Sequence, residues 1–254
     1  WNDWAWEEFG PYNDRLAPMA TIAAGDKEGA IKEVERVAKL GFKGLSLPCK
    51  PHGGPPNHED PNYNLPEFGP LWACIQDAGL PVTFHVSTGR DPRTSRGNGG
   101  AVINYAVHSL APTMEPIANI CASGVIDRFP NLRFGSIEAG IGWVAWALTA
   151  MDEAYKKHHM WVRPRLKYLP SEYFRMNGFA SFQEDPPGLG GARDAGLVDN
   201  FLWANDFPHH EGTWPHSAQA IERTMDMLNN EERGKVLGLN AARIFGFDVP
   251  ERYS

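Results

Sequence analysis

The segment Trp203-Ala204-Asn205-Asp206-Phe207-Pro208-His209-His210 ends an apolar run, Asn200 to Ala204, with an acid, a proline and paired imidazoles, Gly212 close behind. A continuous apolar run of this length reads as a buried parallel strand. An acid and a histidine delivered at the C-terminal end of such a strand can ligate a metal or move protons, and a (β/α) barrel builds its reactive face there. Asp206 taken alone is explained equally well as a cap on the next helix. A second run breaks the tie. Pro81-Val82-Thr83-Phe84-His85-Val86-Ser87 carries one imidazole among β-branched and aromatic residues, and Thr88-Gly89-Arg90-Asp91 follows. A lone histidine in a strand is more often a satisfied core residue than a ligand. Two strands ending in metal-type ligands, spaced as in a βα repeat, favour a site.

Other polar residues carry weaker signals. Arg90, just after the His85 strand, can clamp a substrate carboxylate through both guanidinium nitrogens, though a loop ion pair with Asp91 explains it equally well. His209 fits substrate contact or support of Asp206. His210 is expected to face solvent. His52 and His58 lie in a Gly/Pro-rich loop without metal-ligand spacing, and His108, His158 and His159 fall on or near helices as surface residues. Trp214 is expected to wall an aromatic or apolar pocket. Trp143 is better explained by helix-to-barrel packing.

The elements that position these residues alternate strand and helix. An aromatic, helix-like opening (Trp4, Trp6, Phe9, Tyr12) precedes a strand over Arg15–Ile22. Asp26 then caps a helix with apolar face Ile31, Val34, Val37 and Ala38, which stops at Gly41. Lys43–Leu47 is the next strand, followed by a loop from Pro48 to Pro61. Phe68, Leu71, Trp72 and Ile75 mark a helical face ending at Gly79. Then come the His85 strand, a strand over Leu132–Glu138 leading into a helix through Trp143 and Met151, a strand over Gly178–Phe182, and the Asp206 strand. Such alternation implies parallel pairing through right-handed crossovers. It yields about six strands, whereas a closed barrel of this type needs eight, so the pattern fits either an open sheet or a barrel whose first two strands lie upstream of Trp1.

Composition narrows the partners. The chain has 254 residues and a formal net charge of −7, enough for one large core and without a basic stripe for nucleic acid. No apolar run approaches membrane-spanning length, and no signal-peptide core is visible. Cys49, Cys74 and Cys121 form no CxxC pair, so buried thiols in a reduced, cytoplasmic setting are expected.

Five segments, each weak alone, stand in a telling order: Phe84-His85; Ile137-Glu138-Ala139-Gly140-Ile141-Gly142-Trp143; Pro170-Ser171-Glu172-Tyr173-Phe174; Ala204-Asn205-Asp206-Phe207-Pro208-His209; and Asn240-Ala241-Ala242-Arg243-Ile244-Phe245-Gly246-Phe247. Together they resemble the amidohydrolase-type, metal-dependent TIM-barrel family that includes aminocarboxymuconate-semialdehyde decarboxylase, from about Trp4 to Phe247. The resemblance implies an α/β, (β/α)8 TIM barrel with His85 on strand five, Glu138 on strand six and Asp206 on strand eight. In the family the first strand supplies a His-x-His or Glu-x-His ligand pair, and nothing before Arg15 matches it. Residues 1–254 are therefore expected to form a single barrel domain whose first two strands lie upstream of Trp1 or come from another chain.

The chemistry expected is that of a divalent ion, zinc first, with manganese or iron as alternatives. Held by His85, Asp206 and Glu138 with one position open, it would lower the pKa of a bound water from about 15.7 to roughly 7. Asp206 both ligates and takes the water's proton. Glu138 stands where relatives often carry a histidine acid or base; it acts the same way if burial raises its pKa, or serves as a further ligand, or simply pairs with a nearby arginine. Arg90, His209 and Trp214 are the substrate-contact candidates. The first expectation is a hydrolase attacking an ester, thioester, amide or lactone carbonyl of a small molecule. The decarboxylase branch usually ends strand six with His, a spacer, Gly and Glu, where this chain has Glu138-Ala139-Gly140-Ile141. A nonoxidative decarboxylase of an aromatic or unsaturated acid is the alternative, and a metal-free barrel serving as a binding subunit the third. The resemblance also implies a homo-oligomer.

Overall fold

The computed structural model describes residues 1–52, 60–88, 95–158 and 164–251. Among the described residues, six strands form one sheet in chain order: β1 (Ala20–Thr21), β2 (Leu45–Leu47), β3 (Val82–His85), β4 (Phe134–Ile137), β5 (Gly178–Phe182) and β6 (Phe201–Trp203). Every neighbouring pair is parallel. Strictly sequential order means that each crossover advances the same way, as in a barrel wall; a doubly wound sheet would reverse at a switch point.

Alternation along the strands separates two faces. Leu45, Leu47, Val82, Phe84, Phe134, Ala180, Phe182 and Phe201 face the helices and share one core with them. Ile137, Phe179 and Leu202 point the other way and form a second, smaller cluster with Ala241, Ile244 and Phe245. The helix Asn240–Phe245 thus lies across the side of the sheet that a barrel encloses. It binds at the N-terminal ends of the strands: the Phe179 and Phe245 rings meet edge-on at 5.7 Å, Lys43 Nζ donates to the Gly246 carbonyl at 2.6 Å, and Arg133 donates to the Arg243 and Ile244 carbonyls at 2.9 and 3.0 Å.

The crossover helices form for reasons visible in the chain. Asp26 Oδ1 accepts the Gly29 N–H at 3.0 Å, capping Lys27–Leu40, and Gly41 ends it at φ 107°, a conformation that favours glycine. Val34 and Val37 on this helix are fully buried, as are Trp72 and Ile75 on Gly69–Ala78, each contributing about 1.5–3 kcal/mol by leaving water. Trp143 packs against the same core, as expected of it. Cys49 and Cys121 are buried free thiols, Cys74 is half-buried, and burial pushes the Cys49 thiol up to about 11.

Two departures from expectation have physical causes. The strand expected over Arg15–Ile22 shrinks to Ala20–Thr21, because Pro18 has no N–H to donate and Arg15 and Leu16 instead close a turn on the Tyr12 carbonyl. Between β3 and β4 the chain makes a helical excursion, Gly100–Ile103, Asn104–Leu110 and Met114–Ala122, of which the last buries Ile117, Ile120 and Cys121 at helical spacing. Among the described residues, no helix is long and apolar enough to cross a membrane.

Candidate active site at the strand C-termini

The sequence places His85 as the last residue of β3, Glu138 as the first after β4, and Asp206 three residues beyond β6. All three therefore emerge at the same end of the sheet. His85 Nδ1 lies 2.9 Å from the Val86 carbonyl oxygen, which only accepts, so Nδ1 carries a hydrogen. His85 Nε2 sits 2.9 Å from Glu138 Oε2. An imidazole nitrogen and a carboxylate oxygen at this distance share a proton between them. Glu138 supplies a reason for one to be there: burial holds its carboxyl above the ordinary range, the His85 imidazole pulls it back, and the Asp206 carboxylate adds to the rise.

Asp206 follows β6, two strands along the sheet from β4 and Glu138. Its Oδ1 lies 3.0 Å from His209 Nδ1, while its buried Oδ2 has no partner among the described residues. An orphaned carboxylate oxygen in a low-dielectric setting costs free energy unless a cation or donor meets it. Glu138, Asp206, His209 and Glu211 each offer a ligand atom within 4.8 Å of all the others. The donor set, three carboxylates and one imidazole, is chemically fit for a divalent cation. His85 stands beside this group, attached through Glu138.

Both acids are held in a backbone conformation that non-glycine residues rarely adopt, Glu138 at φ 63° and Asp206 at φ 57°, and Ser87 at φ 65° follows the His85 strand. Such residues cost about 1–3 kcal/mol each and persist where neighbours fix them. Around Asp206 the fixing is by Asn205, whose side chain accepts the Phe207 N–H at 3.1 Å and whose carbonyl accepts the Thr213 N–H at 2.9 Å. Gly212 is required for the close return of this loop, since a Cβ there would lie 2.6 Å from the Asn205 carbonyl oxygen. Under His85, Thr88 Oγ1 donates to the His85 carbonyl at 2.6 Å, and Cys49 Sγ lies 3.4 Å from the same oxygen.

The structure thus brings His85, Glu138, Asp206 and His209 together. Trp214 is exposed and stacks edge-on with exposed Phe207 at 5.4 Å, forming an aromatic pair on the loop that carries Asp206. Arg90, His58 and His159 lie outside the described residues. His210 reaches solvent beside Glu211, as expected, whereas His108 is half-buried rather than at the surface. Sequence reasoning missed Glu211, although it stands only two residues past His209. It also missed Tyr105, whose phenol is pushed up by burial and then by the charges of Glu211, Glu138 and Asp206.

The sequence model of the family described as Amidohydrolase matches residues 1–247. The chain belongs to the amidohydrolase family. No curated protein sequence matches it. Among solved structures, 5-carboxyvanillate decarboxylase of Sphingomonas paucimobilis is 26% identical at a TM-score of 0.77, covering 97% of this chain and 71% of that one. An amidohydrolase of Mycobacterium avium subsp. paratuberculosis K-10 is 24% identical at a TM-score of 0.74, covering 98% and 63% of the two chains. Dihydroxybenzoic acid decarboxylase of Polaromonas sp. JS666, with manganese and the inhibitor 2-nitroresorcinol bound, is 22% identical at a TM-score of 0.70, covering 98% and 75%. The last two share the fold; the sheet seen here is the corresponding six-stranded part of an amidohydrolase barrel.

Proposed function

We propose that the chain is a metal-dependent, nonoxidative decarboxylase of a small aromatic or unsaturated carboxylic acid. The observation that carries this reading is the Glu138–His85 contact: a partly buried carboxyl, held above the ordinary carboxylate range by burial, at the rim of a cation-ready group. A decarboxylase needs that acid. As the bond from the ring or vinyl carbon to the carboxyl group breaks, the electron pair stays on the carbon and carbon dioxide leaves, so a proton must be delivered there. Glu138, held against His85 Nε2, is placed to give it, and a proton taken up from solvent in each turnover restores the acid.

Asp206, His209 and Glu211 are the residues that would hold the ion. When bound, a divalent cation supplies positive charge to orient the substrate carboxylate and a neighbouring oxygen. The oxygen-rich donor set suits manganese better than the zinc expected from sequence, and manganese is what the Polaromonas decarboxylase holds. Phe207 and Trp214 offer an apolar wall for the body of the acid. Arg90 remains a candidate clamp for a carboxylate.

Hydrolysis is the second reading, favoured by one observation: Glu138-Ala139-Gly140-Ile141 stands where the decarboxylase branch usually carries His, a spacer, Gly and Glu. The test is to load the purified protein with manganese or zinc and offer 5-carboxyvanillate, 2,6-dihydroxybenzoate and p-nitrophenyl esters. Carbon dioxide release from an aromatic acid supports the proposal. Ester turnover without carbon dioxide release, lost on chelation, replaces it with hydrolysis.

A further inference from the structure

Glu138 has an unfavourable backbone conformation, and the strand that follows supplies what holds it there. The Glu138 N–H donates to Ser181 Oγ on β5 at 3.0 Å. Four residues further along, just past the end of β5, Asp185 receives three more N–H groups. Its Oδ2 accepts from Ile141 at 2.9 Å and Gly142 at 2.7 Å, and its Oδ1 accepts from Gly188 at 2.9 Å. Ile141 and Gly142 open the long helix Gly142–His158, and Gly188 lies in the first turn of Pro186–Asp194. One carboxylate therefore ties the start of two helices together. The packing leaves no slack: a Cβ on Gly188 would come 2.4 Å from Asp185 Oδ2.

Between the Ser181 and Asp185 anchors lies the turn Glu138-Ala139-Gly140, with left-handed residues at both ends, Glu138 at φ 63° and Gly140 at φ 66°. A turn pinned on both sides has little freedom to relax, which is what a strained residue needs in order to persist. We infer that Asp185, acting with Ser181, is a positioning residue for the active site: it fixes the turn that aims the Glu138 carboxyl at His85. Capping two helices is the separate, structural part of its role. The inference rests on the reading of Glu138 as the proton donor.

Three variants separate the two roles. Asp185→Ala removes all three acceptors and is expected to lower thermal stability as a lost cap does, and to cut kcat about 10–100-fold with KM within about threefold, because small misplacements of a reacting group cost that much. Asp185→Asn keeps one accepting oxygen and recovers part of the loss. Ser181→Ala leaves both helix starts capped, so it lowers kcat with little change in melting temperature. Manganese affinity stays within about twofold in all three, since Asp206, His209 and Glu211 are untouched. A crystal structure of Asp185→Ala is expected to show Glu138 out of the left-handed region and its carboxyl withdrawn from His85 Nε2. Folded Asp185→Ala and Ser181→Ala proteins with wild-type kcat, or a crystal structure with Glu138 unmoved, overturn the inference. A Glu138→Gln protein that turns over normally would instead overturn the proton-donor reading on which it stands.

Discussion

The two ends of the sheet are built on opposite terms. At the N-terminal ends the polar groups are saturated: Asn200 Nδ2 donates to the carbonyls of Phe174, Arg175 and Gly178, Asn240 Nδ2 to those of Val198 and Phe201, and Asn177 Nδ2 to those of Pro130 and Leu132. Phe179 is fully buried there against Phe245. At the C-terminal ends, Glu138 and Asp206 are strained, partly exposed and mutually repelling, and one Asp206 oxygen is orphaned. The non-glycine residues with left-handed backbone, among those described, all follow the C-terminal ends of strands. One end stores stability and the other spends it on a reactive arrangement, so substitutions at the two ends should change stability with opposite signs.

The largest expected effect is on catalysis. Asp206→Asn should lower manganese affinity and turnover by at least about 10²-fold while leaving the melting temperature unchanged or higher, since a carboxylate with one buried, unpartnered oxygen beside Glu138 is removed. Titration with manganese alongside thermal unfolding checks both halves. Glu138→Gln should keep metal binding and slow turnover by roughly 10²–10⁴-fold; loss of metal content in this variant would make Glu138 a ligand instead.

Next in size is the opposite end. Phe179→Ala should destabilise by about 3–5 kcal/mol in chemical denaturation, yet leave manganese affinity of the folded fraction intact. A smaller, opposite shift is expected from Glu138→Gly. Relief of the left-handed strain should raise stability by about 1 kcal/mol even as activity disappears. A fall in stability with this variant would break the contrast between the ends.

The smallest effect lies away from both. Glu33 is held below its ordinary pKa first by its hydrogen bond from Arg36, with a further bond from Asn2. A lowered folded-state pKa stabilises above the unfolded value of 4.5 and is lost as pH falls through the folded one. The stability gap between wild type and Glu33→Gln should therefore close on acidification below about pH 4.5, a change of under about 1 kcal/mol for so exposed a pair. A gap that widens in acid would reverse the assignment.

Legibility in the sequence followed the same division. His85, Glu138 and Asp206 can be found because each interrupts or ends an apolar run, and a buried strand has few reasons to carry a charge. The capped helix after Asp26 and the parallel sheet are equally plain. Tyr105 is invisible because its helix leaves Val102, Ile103 and Val107 exposed, so no 3.6-residue pattern marks an inward face. Glu211 looks like one more loop acid until the loop folds back through Gly212. Asp185 goes unread, because the sequence does not say that two helices share its carboxylate. The short β1 escapes a reading that follows apolar residues and gives too little weight to Pro18.

The central claim is that the acids at the C-terminal ends form a cation-held decarboxylation site with Glu138 as proton donor. Its most direct test is turnover of aromatic carboxylic acids by the manganese-loaded protein in heavy water, with product deuteration and carbon dioxide followed together. The account predicts one carbon dioxide released and one deuterium placed on the vacated carbon per turnover, lost on chelation and slowed at least about 10²-fold in Glu138→Gln. Turnover that survives complete chelation, or that Glu138→Gln leaves unchanged, would contradict it.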